Sequence, residues 1–333
     1  MQRVVTVLIV SFLLFALCGC KPKQENSDRP TVAVIPKGTS HVYWKSIHAG
    51  ALKAAQEYNV TVNWIGPEKE DDRQQQIALV DNQVMNQVSG IILAPIDNMA
   101  LRRPVRAAVS KGVPVVIVDS DLRDSQDVYT SYIATDNHRG GEIAAQQMAA
   151  LLQNKGQVIA LREAEGAAST ETRVSGFLAA LTSMTGITVV SADQYVGVTK
   201  AQAQQAAENL LLRFADDQGG LTIQGIFCPN ESITYGMLQA LRRKRLIGKV
   251  IFIGFDCSDP LLVGLRQGEI NGLVVQDPFK MGYLSVKMMV SHLKGEAVTK
   301  TIDTGVSFVT QTNLEQPEIQ ALVHPDLQQW LGD

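Results

Sequence analysis

The feature that most constrains the fold of this 333-residue chain is a regular alternation of short β-branched runs with longer amphipathic stretches. The first apolar runs stand at residues 31–35, 60–65, 90–94 and 113–118. The stretch after the first run carries Ile47, Ala51 and Tyr58 on one helical face. Strands that are apolar throughout are buried on both faces, which is typical of a parallel sheet covered by helices. The alternation therefore predicts an α/β fold.

A second series of the same kind follows from Ser131. Its short runs stand at residues 132–134, 158–161, 188–190, 225–227 and 250–253. Two such series predict two doubly wound, Rossmann-like lobes with parallel sheets. Because no Pro-rich or Ser-rich linker separates the series, we expect strands that cross directly between the lobes. Such a hinge places a ligand in the cleft at the carboxyl ends of both sheets.

The N-terminal residues have the pattern of a targeting signal. Arg3 precedes the apolar residues 4–17, and the run ends in the letters LCGC, whose Leu-x-Gly-Cys pattern resembles the bacterial lipobox. The run is shorter than the roughly 18 residues of a spanning helix and lacks a basic stop-transfer cluster. A buried first element or a single membrane anchor is the alternative. We predict a signal peptide at residues 1–19, lipidation of Cys20 and a flexible polar tether at residues 20–30.

Net charge argues against a nucleic-acid partner. The formal charge is only −3 and is spread along the chain, whereas phosphate binding needs concentrated Lys and Arg. The one basic run, at residues 242–245, ends an apparent helix, where cations complement the helix dipole.

Cysteine usage leaves one disulfide to consider. Cys18 would leave with the signal and Cys20 would carry lipid, so Cys228 and Cys257 are the remaining pair. Export permits a bridge, but both positions also suit a small buried filler at a strand end, so their pairing stays open. Neither residue has His or Cys neighbours at zinc-like spacing, and we expect no metal site.

Known catalytic motifs are missing from the sequence. It contains no Gly-x-Ser-x-Gly elbow, Walker loop or His-Glu-x-x-His, and no Gly-x-Gly-x-x-Gly follows the first strand. The histidines are scattered, and only His41 falls on a strand-to-helix loop of the expected cleft. We therefore expect a binding protein without a cofactor, and not an enzyme.

Polar and aromatic side chains recur at or near the ends of the predicted strands. They are His41, Tyr43, Trp44, Asp119, Ser120, Asp121, Asp136, Arg173, Asn230, Asp256 and Gln276. Carboxylates and amides bracket sugar hydroxyls, an Arg donates to a ring oxygen, and aromatic rings cover the C–H face. Each also has a structural alternative: Asp136 and Asn230 can cap helices, and Tyr43 and Trp44 can be core. Their recurrence at one end of successive strands favours a small polyol ligand.

Short motifs also recur in a familiar order along most of the chain. They are YWKSIHAGA at residues 43–51, ILAP at 92–95, PVVIVD at 114–119, ATDN at 134–137, Arg173 with Gly176 and Phe177, FCPNE at 227–231, IGFD at 253–256 and VVQDP at 274–278. From residue 31 to about residue 310 the chain resembles the type I periplasmic sugar-binding proteins, and within them the ribose-binding group. Lactose-repressor-like effector domains share this fold.

The resemblance implies a three-stranded hinge and a domain division. The crossings would fall near residues 134–137, 276–278 and 303–306. The N-terminal lobe would comprise residues 31–134 plus 278–302, and the C-terminal lobe residues 135–277 plus 303–333.

The resemblance also implies roles for single residues. Tyr43 and Trp44 stand where the family stacks aromatic rings on the sugar. The hydroxyl-binding positions correspond to Asp119, Arg173, Asn230, Asp256 and Gln276.

Departures from the ribose-type pattern argue against ribose itself. His41 stands where that pattern has Asn, and Ser120 where it has Arg directly after the Asp. Losing the Arg fork removes a charge-assisted donor pair. The second-lobe aromatic of the pattern aligns with Val198, and Tyr195 is the nearest replacement.

The resemblance implies the substrate-binding component of an ABC importer, which closes on a sugar-like polyol and delivers it to an ABC permease. We expect an exported monomer, periplasmic or on the cell surface, held at the membrane by its lipid. The alternative is a ligand-presenting sensor protein for a histidine kinase or chemoreceptor, or a binder of a non-sugar signal molecule. A transcription regulator of this fold would need a helix-turn-helix where we predict an export signal in this chain.

Overall fold

In this computed structural model the described residues are 29–332, so Cys20 and the predicted signal and tether up to residue 28 lie outside them. The elements in chain order are β1 (Thr31–Ile35), α1 (Val42–Tyr58), β2 (Thr61–Trp64), α2 (Arg73–Met85), β3 (Gly90–Leu93), α3 (Arg102–Ser110), β4 (Val115–Val118), β5 (Ser131–Ala134), α4 (Asn137–Leu151), β6 (Gly156–Arg162), α5 (Ala168–Leu181), β7 (Ile187–Tyr195), α6 (Lys200–Arg213), β8 (Gly225–Phe227), α7 (Glu231–Lys244), β9 (Ile251–Phe255), α8 (Asp259–Arg266), β10 (Gly272–Gln276), α9 (Pro278–Leu293), β11 (Thr301–Asp303), β12 (Val306–Val309), α10 (Pro317–Val323) and α11 (Gln328–Leu331).

The first lobe is built on a six-stranded parallel sheet of order β11-β5-β4-β3-β1-β2. Strand β5 pairs with β4, with Ile117 opposite Tyr132. The alternation of runs predicted that the second series begins at Ser131, but β5 belongs to the first sheet, so this prediction was wrong by one strand. Alternation of strands and helices does not mark the point where the chain leaves a sheet. Helices cover both faces, so the strand side chains contribute to one apolar core on each side.

The second lobe repeats the design with the order β12-β10-β9-β8-β6-β7. All neighbours are parallel except β12, which runs antiparallel to β10. Two parallel-sheet α/β lobes confirm the predicted fold class.

Three short segments carry the chain between the two sheets, and hydrogen bonds join them side by side. The Asp136 amide donates to Asp303 at 3.0 Å, and the Thr135 hydroxyl donates to the Gly305 carbonyl at 3.2 Å. Lys280, at the start of α9, donates to the Thr304 carbonyl at 3.2 Å. The three connections therefore form one bonded group at the edge of the cleft.

Close helix pairs in each lobe depend on glycine. A Cβ on Gly50 of α1 would lie 1.9 Å from the carbonyl oxygen of Phe279 in α9. In the second lobe, a Cβ on Gly141 of α4 would lie 1.9 Å from the carbonyl oxygen of Arg173 in α5. These approaches are possible only without side chains, and the second one positions Arg173.

Both cysteines in the described part of the chain are free thiols, which answers the question left open by the sequence. Cys228 is fully buried in the second-lobe core, and burial raises its pKa. Cys257 is half-buried, and burial raises its pKa to about 12. Within residues 29–332, no helix has both the length and the apolarity to cross a bilayer.

Candidate functional site

A cleft lies between the lobes, where the carboxyl ends of both sheets face each other. Its deep part, which we call the inner pocket, contains the predicted residues His41, Tyr43, Trp44, Asp119, Arg173, Asn230, Asp256 and Gln276. Residues that the sequence reasoning missed complete it: Lys37, Glu70, Glu163, Ser169, Thr170, Glu231 and Ser232. A wider outer chamber of about 850 Å³ shares several of these lining residues.

Three predicted residues lie outside the inner pocket. The hydroxyl of buried Ser120 accepts from the Ser169 amide at 3.1 Å, which joins the lobes beside the pocket. Asp121 accepts from the Tyr129 hydroxyl at 2.8 Å within the first lobe. Asp136 is exposed and caps α4, because its carboxylate accepts from the Arg139 amide at 2.9 Å. Each of these side chains thus has a structural partner, which for Ser120 is the pocket residue Ser169.

Asp119 is the centre of the first-lobe half of the pocket. It follows β4 directly and lies 2.7 Å from the Lys37 ammonium, while the Tyr43 hydroxyl donates to it at 2.7 Å. Burial alone would raise the pKa of Asp119, but the charges of Lys37 and Arg173 outweigh it and hold this pKa below its usual range. Asp119 is therefore an ionised acceptor at neutral pH.

Asp256 is its counterpart in the second lobe. It follows β9, accepts from the Gln276 amide at 2.6 Å and lies 3.7 Å from the Arg173 guanidinium. Burial raises the pKa of Asp256, although Arg173 and Gln276 oppose the shift. Arg173 is itself fixed by Asn137 Oδ1 at 2.8 Å, and its guanidinium lies 3.9 Å from the ring centroid of Phe255. The Arg fork is thus oriented by packing before any ligand arrives.

The aromatic pair after β1 combines packing with polar contacts. Trp44 is only 2% exposed and belongs to the first-lobe core, as the structural alternative anticipated, yet its indole N–H donates to Glu70 in the pocket at 2.9 Å. The Tyr43 ring meets Trp44 edge to face, with ring centroids 4.9 Å apart. Asn230 likewise has two roles. It lines the pocket, and its side chain caps α7 by accepting a hydrogen bond from the Ile233 amide at 3.0 Å.

A contact between His41 and Glu231 joins the two lobes at the wall of the inner pocket. Nε2 of His41, in the first lobe, lies 2.7 Å from a carboxylate oxygen of Glu231 in the second lobe. Burial opposes protonation of His41, but the hydrogen bond and charge of Glu231 outweigh it and raise the pKa of the imidazole. The same contact lowers the pKa of Glu231 to about 2, against the effect of its own burial.

Other contacts also join the lobes around the pocket. The Lys37 ammonium donates to the Ser169 hydroxyl at 3.2 Å, and the Asn98 amide donates to the Gly166 carbonyl at 3.0 Å. The lobes therefore stand in a closed arrangement. Among the described residues, no cluster of three or more His, Cys, Asp or Glu could hold a metal ion.

A pocket of polar side chains shared between two hinged α/β lobes defines a two-lobed solute-binding protein. The family model described as "Periplasmic binding protein domain" matches residues 32–297. The chain belongs to this family.

Named relatives extend the similarity over most of the chain. The ribose import binding protein RbsB of Bacillus subtilis is 28% identical over 93% of this chain and 100% of its own length. The D-allose-binding periplasmic protein of Escherichia coli is 27% identical over 80% of this chain and 85% of its own.

Solved structures agree with this placement. A carbohydrate transporter solute-binding protein of Agrobacterium radiobacter, in complex with D-arabinose, superposes with a TM-score of 0.83 at 33% identity and covers 90% of this chain and 100% of its own. An ABC transporter solute-binding protein of Agrobacterium vitis with bound D-fucose gives a TM-score of 0.83 at 32% identity, covering 88% and 100%.

Proposed function

We propose that this protein captures a sugar or sugar-like polyol in the inner pocket and serves as the substrate-binding component of an ABC importer. The observation that carries this proposal is the convergence of polar side chains from both lobes on one pocket: Asp119, Arg173, Asn230, Asp256 and Gln276. Relatives and structural neighbours named for ribose, allose, arabinose and fucose support a ligand of this class.

The pocket chemistry suits hydroxyl groups. Ionised Asp119 accepts hydroxyl protons, and the Asn230 and Gln276 amides can both donate and accept. Arg173 supplies the fixed donor fork, and the Tyr43 side chain forms part of the wall. Each added hydrogen bond to an ionised partner contributes about 1.5–3 kcal/mol.

Ligand capture would proceed by hinge closure. The proposed lobes are residues 31–134 plus 278–302 and residues 135–277 plus 303–333, with the joined crossing segments as the hinge. Ligand contacts made by both lobes exist only in the closed state, so ligand binding shifts the population toward closure.

The cellular setting belongs to the same proposal. An export signal at residues 1–19 and a lipid on Cys20 would tether a monomer near its ABC permease. Import is favoured over presentation to a sensor because the relatives are named for import and transport. The ligand would leave unchanged, as it does from a carrier and not from an enzyme.

A thermal-shift and calorimetry screen over pentoses, hexoses, polyols and nucleosides tests the proposal. A true ligand at about 100 times its dissociation constant stabilises the protein by about 2.7 kcal/mol. Mass spectrometry of the released ligand should recover it intact. Failure of every sugar and polyol to bind would overturn the proposed ligand class, and turnover would overturn the carrier role.

A further inference from the structure

The inner pocket holds carboxyl groups that outnumber the cations beside them. Its acidic side chains are Glu70, Asp119, Glu163, Glu231 and Asp256. Three of these have a cation within 4.0 Å: Asp119 has Lys37, Asp256 has Arg173, and Glu231 has both His41 and Lys200. The remaining two, Glu70 and Glu163, have no such partner among the described residues.

Glu70 and Glu163 approach the pocket from opposite lobes. Glu70 lies in the loop after β2, and Glu163 follows the last residue of β6. Each accepts one hydrogen bond from a neutral side chain of its own lobe: Glu70 from the Trp44 indole at 2.9 Å, and Glu163 from the Thr170 hydroxyl at 3.0 Å. Glu163 is only 6% exposed, and both glutamates line the same space. The pocket thus contains two carboxyl groups that face one space without a cation of their own.

Burying a carboxylate without a cation is costly, and such groups hold a proton instead. Burial raises the pKa of Glu163 to about 7; Glu70 adds to this shift, whereas Lys37, Arg173 and Thr170 oppose it. Burial likewise raises the pKa of Glu70, with Asp119 adding to the shift and His41, Lys37 and Trp44 opposing it. The Lys37 ammonium is already held by Asp119 and Ser169, so it serves neither glutamate directly.

We propose that the ligand carries a protonated amine that binds between Glu70 and Glu163, so that the protein recognises an amino sugar or amino polyol. This inference rests on the proposed function and names the ligand class within it. An ammonium group has three donors, enough to bond a carboxylate oxygen from each lobe. Charge-assisted bonds of this kind are roughly twice as strong as those of a neutral hydroxyl. The contact would also draw the two lobes together.

Matched ligand pairs in calorimetry test the inference. The probes are D-glucosamine against D-glucose, D-galactosamine against D-galactose, and 1-amino-1-deoxy-D-sorbitol against sorbitol, with N-acetyl-D-glucosamine as an uncharged control. At least one amine should bind about 10-fold or more tightly than both its hydroxyl counterpart and its acetylated form. A neutral sugar that binds as tightly as its amine, or more tightly, would overturn the inference and leave the proposed function standing. Absence of binding by every amine, when a neutral sugar of the wider screen does bind, would also overturn the inference and leave the proposed function standing. Failure of every amine and of every sugar and polyol in that screen would overturn the proposed function as well.

Isosteric variants localise the amine. Glu163→Gln and Glu70→Gln should each weaken amine binding by about 10-fold or more, and by a larger factor than they weaken binding of the matched neutral sugar. Glu165→Gln removes the same charge from an exposed side chain two residues away and should leave both affinities within about threefold. Equal loss of amine and neutral-sugar affinity in the pocket variants would show a general structural effect and contradict the amine site.

Proton release gives an independent readout. Because Glu163 must ionise to hold an ammonium, amine binding just below neutral pH should release a fraction of a proton. Calorimetry in two buffers of different ionisation enthalpy measures the net number of protons exchanged, and Glu163→Gln should release fewer protons than the wild-type protein. Equal proton exchange in the wild-type and Glu163→Gln proteins would exclude Glu163 as the group that titrates with the ligand.

Discussion

Asp119 and Asp256 occupy matching positions in the two lobes, and both have a left-handed backbone, with φ of 66° and 65°. Asp119 follows β4 and Asp256 follows β9, and each of these strands is third in its sheet. Asp and Asn adopt this backbone region more readily than other residues with a Cβ. The same local turn therefore aims one carboxylate from each lobe into the pocket.

This relationship predicts a difference between two substitutions at Asp256. Asp256→Asn keeps a side chain that tolerates the left-handed turn and should lower ligand affinity by about 10-fold to 100-fold with little loss of stability. Asp256→Ala should lower both affinity and melting temperature, because alanine also strains the turn. Calorimetry and thermal unfolding separate the two effects. Unchanged affinity in both Asp119→Asn and Asp256→Asn would overturn the site.

We expect Lys37 to contribute to stability mainly because its ammonium neutralises the Asp119 carboxylate. Lys37→Met removes the cation beside the Asp119 carboxylate, and Asp119 is only 4% exposed. We therefore expect the free energy of unfolding to fall by about 3–5 kcal/mol. Adding Asp119→Asn removes the unpaired charge and should restore most of that loss. Urea unfolding of both variants measures this. A double variant no more stable than Lys37→Met alone would contradict the pairing.

The fold was largely readable from the sequence because most strands are continuous apolar runs. Strands β11 and β12 lacked this signal, since they are three and four residues long and mostly not buried. The sheet to which β5 belongs was also not readable from alternation alone. Pairing partners are set by contacts between distant parts of the chain, which local composition does not report.

Part of the candidate site could also be predicted from the sequence, because polar residues follow the predicted strands. Polar residues at strand ends pointed to Asp119 and Asp256, and the same rule applied consistently would have included Lys37 and Glu163, which also follow strands. Glu231 does not directly follow a strand, so this rule did not point to it. It reaches the pocket as the first residue of α7 and meets His41 only because two lobes close on each other.

The contact between His41 and Glu231 predicts a pH dependence of closure. In the closed state Glu231 raises the pKa of His41, whereas in an open state the imidazole would return toward about 6.5. The contact therefore contributes fully below that ordinary pKa and is lost as pH rises through the raised pKa. Protonation costs the cap bond from the Tyr43 amide to Nδ1, at 3.1 Å, so we expect an effect of only about a few-fold in affinity.

Comparison with His41→Gln isolates this effect. The ratio of wild-type to variant affinity should fall as pH rises from about 6 to about 9, while other titrating groups, such as Glu163, act on both proteins and largely cancel. Calorimetry across this range, with NMR titration of the imidazole, measures both quantities. A ratio independent of pH would mean that His41 does not change protonation on closure.

The close approach of α4 and α5 predicts that Gly141→Ala weakens ligand binding indirectly, by displacing the helix that carries Arg173. The new Cβ would lie 1.9 Å from the Arg173 carbonyl oxygen and 2.7 Å from the Phe177 amide nitrogen, so α5 must move. We expect a loss of about 1–3 kcal/mol in stability together with weaker ligand binding, because Arg173 moves with its helix. Ser175→Ala, on the exposed face of α5, is the matched control and should change neither. A Gly141→Ala protein with normal affinity would show that the Arg173 fork tolerates displacement of its helix.

The C-terminal segment predicts a kinetic effect on ligand release. Helix α10 packs its Ile319 and Val323 into the second-lobe core, whereas α11 packs against α1 of the first lobe. The chain between these helices borders the outer chamber. Because residues 324–332, which we call the C-terminal strap, link the second lobe to α1 of the first lobe, the strap must detach before the lobes can open. Deleting residues 324–333 should raise the ligand dissociation rate by about several-fold and leave the melting temperature nearly unchanged, since no core residue is lost. Stopped-flow displacement of a bound ligand, followed by the fluorescence of Trp44 and Trp64 in a Trp330→Phe background, measures the rate, and exposed Gln329→Ala serves as the control. An unchanged dissociation rate would mean that the strap does not resist opening.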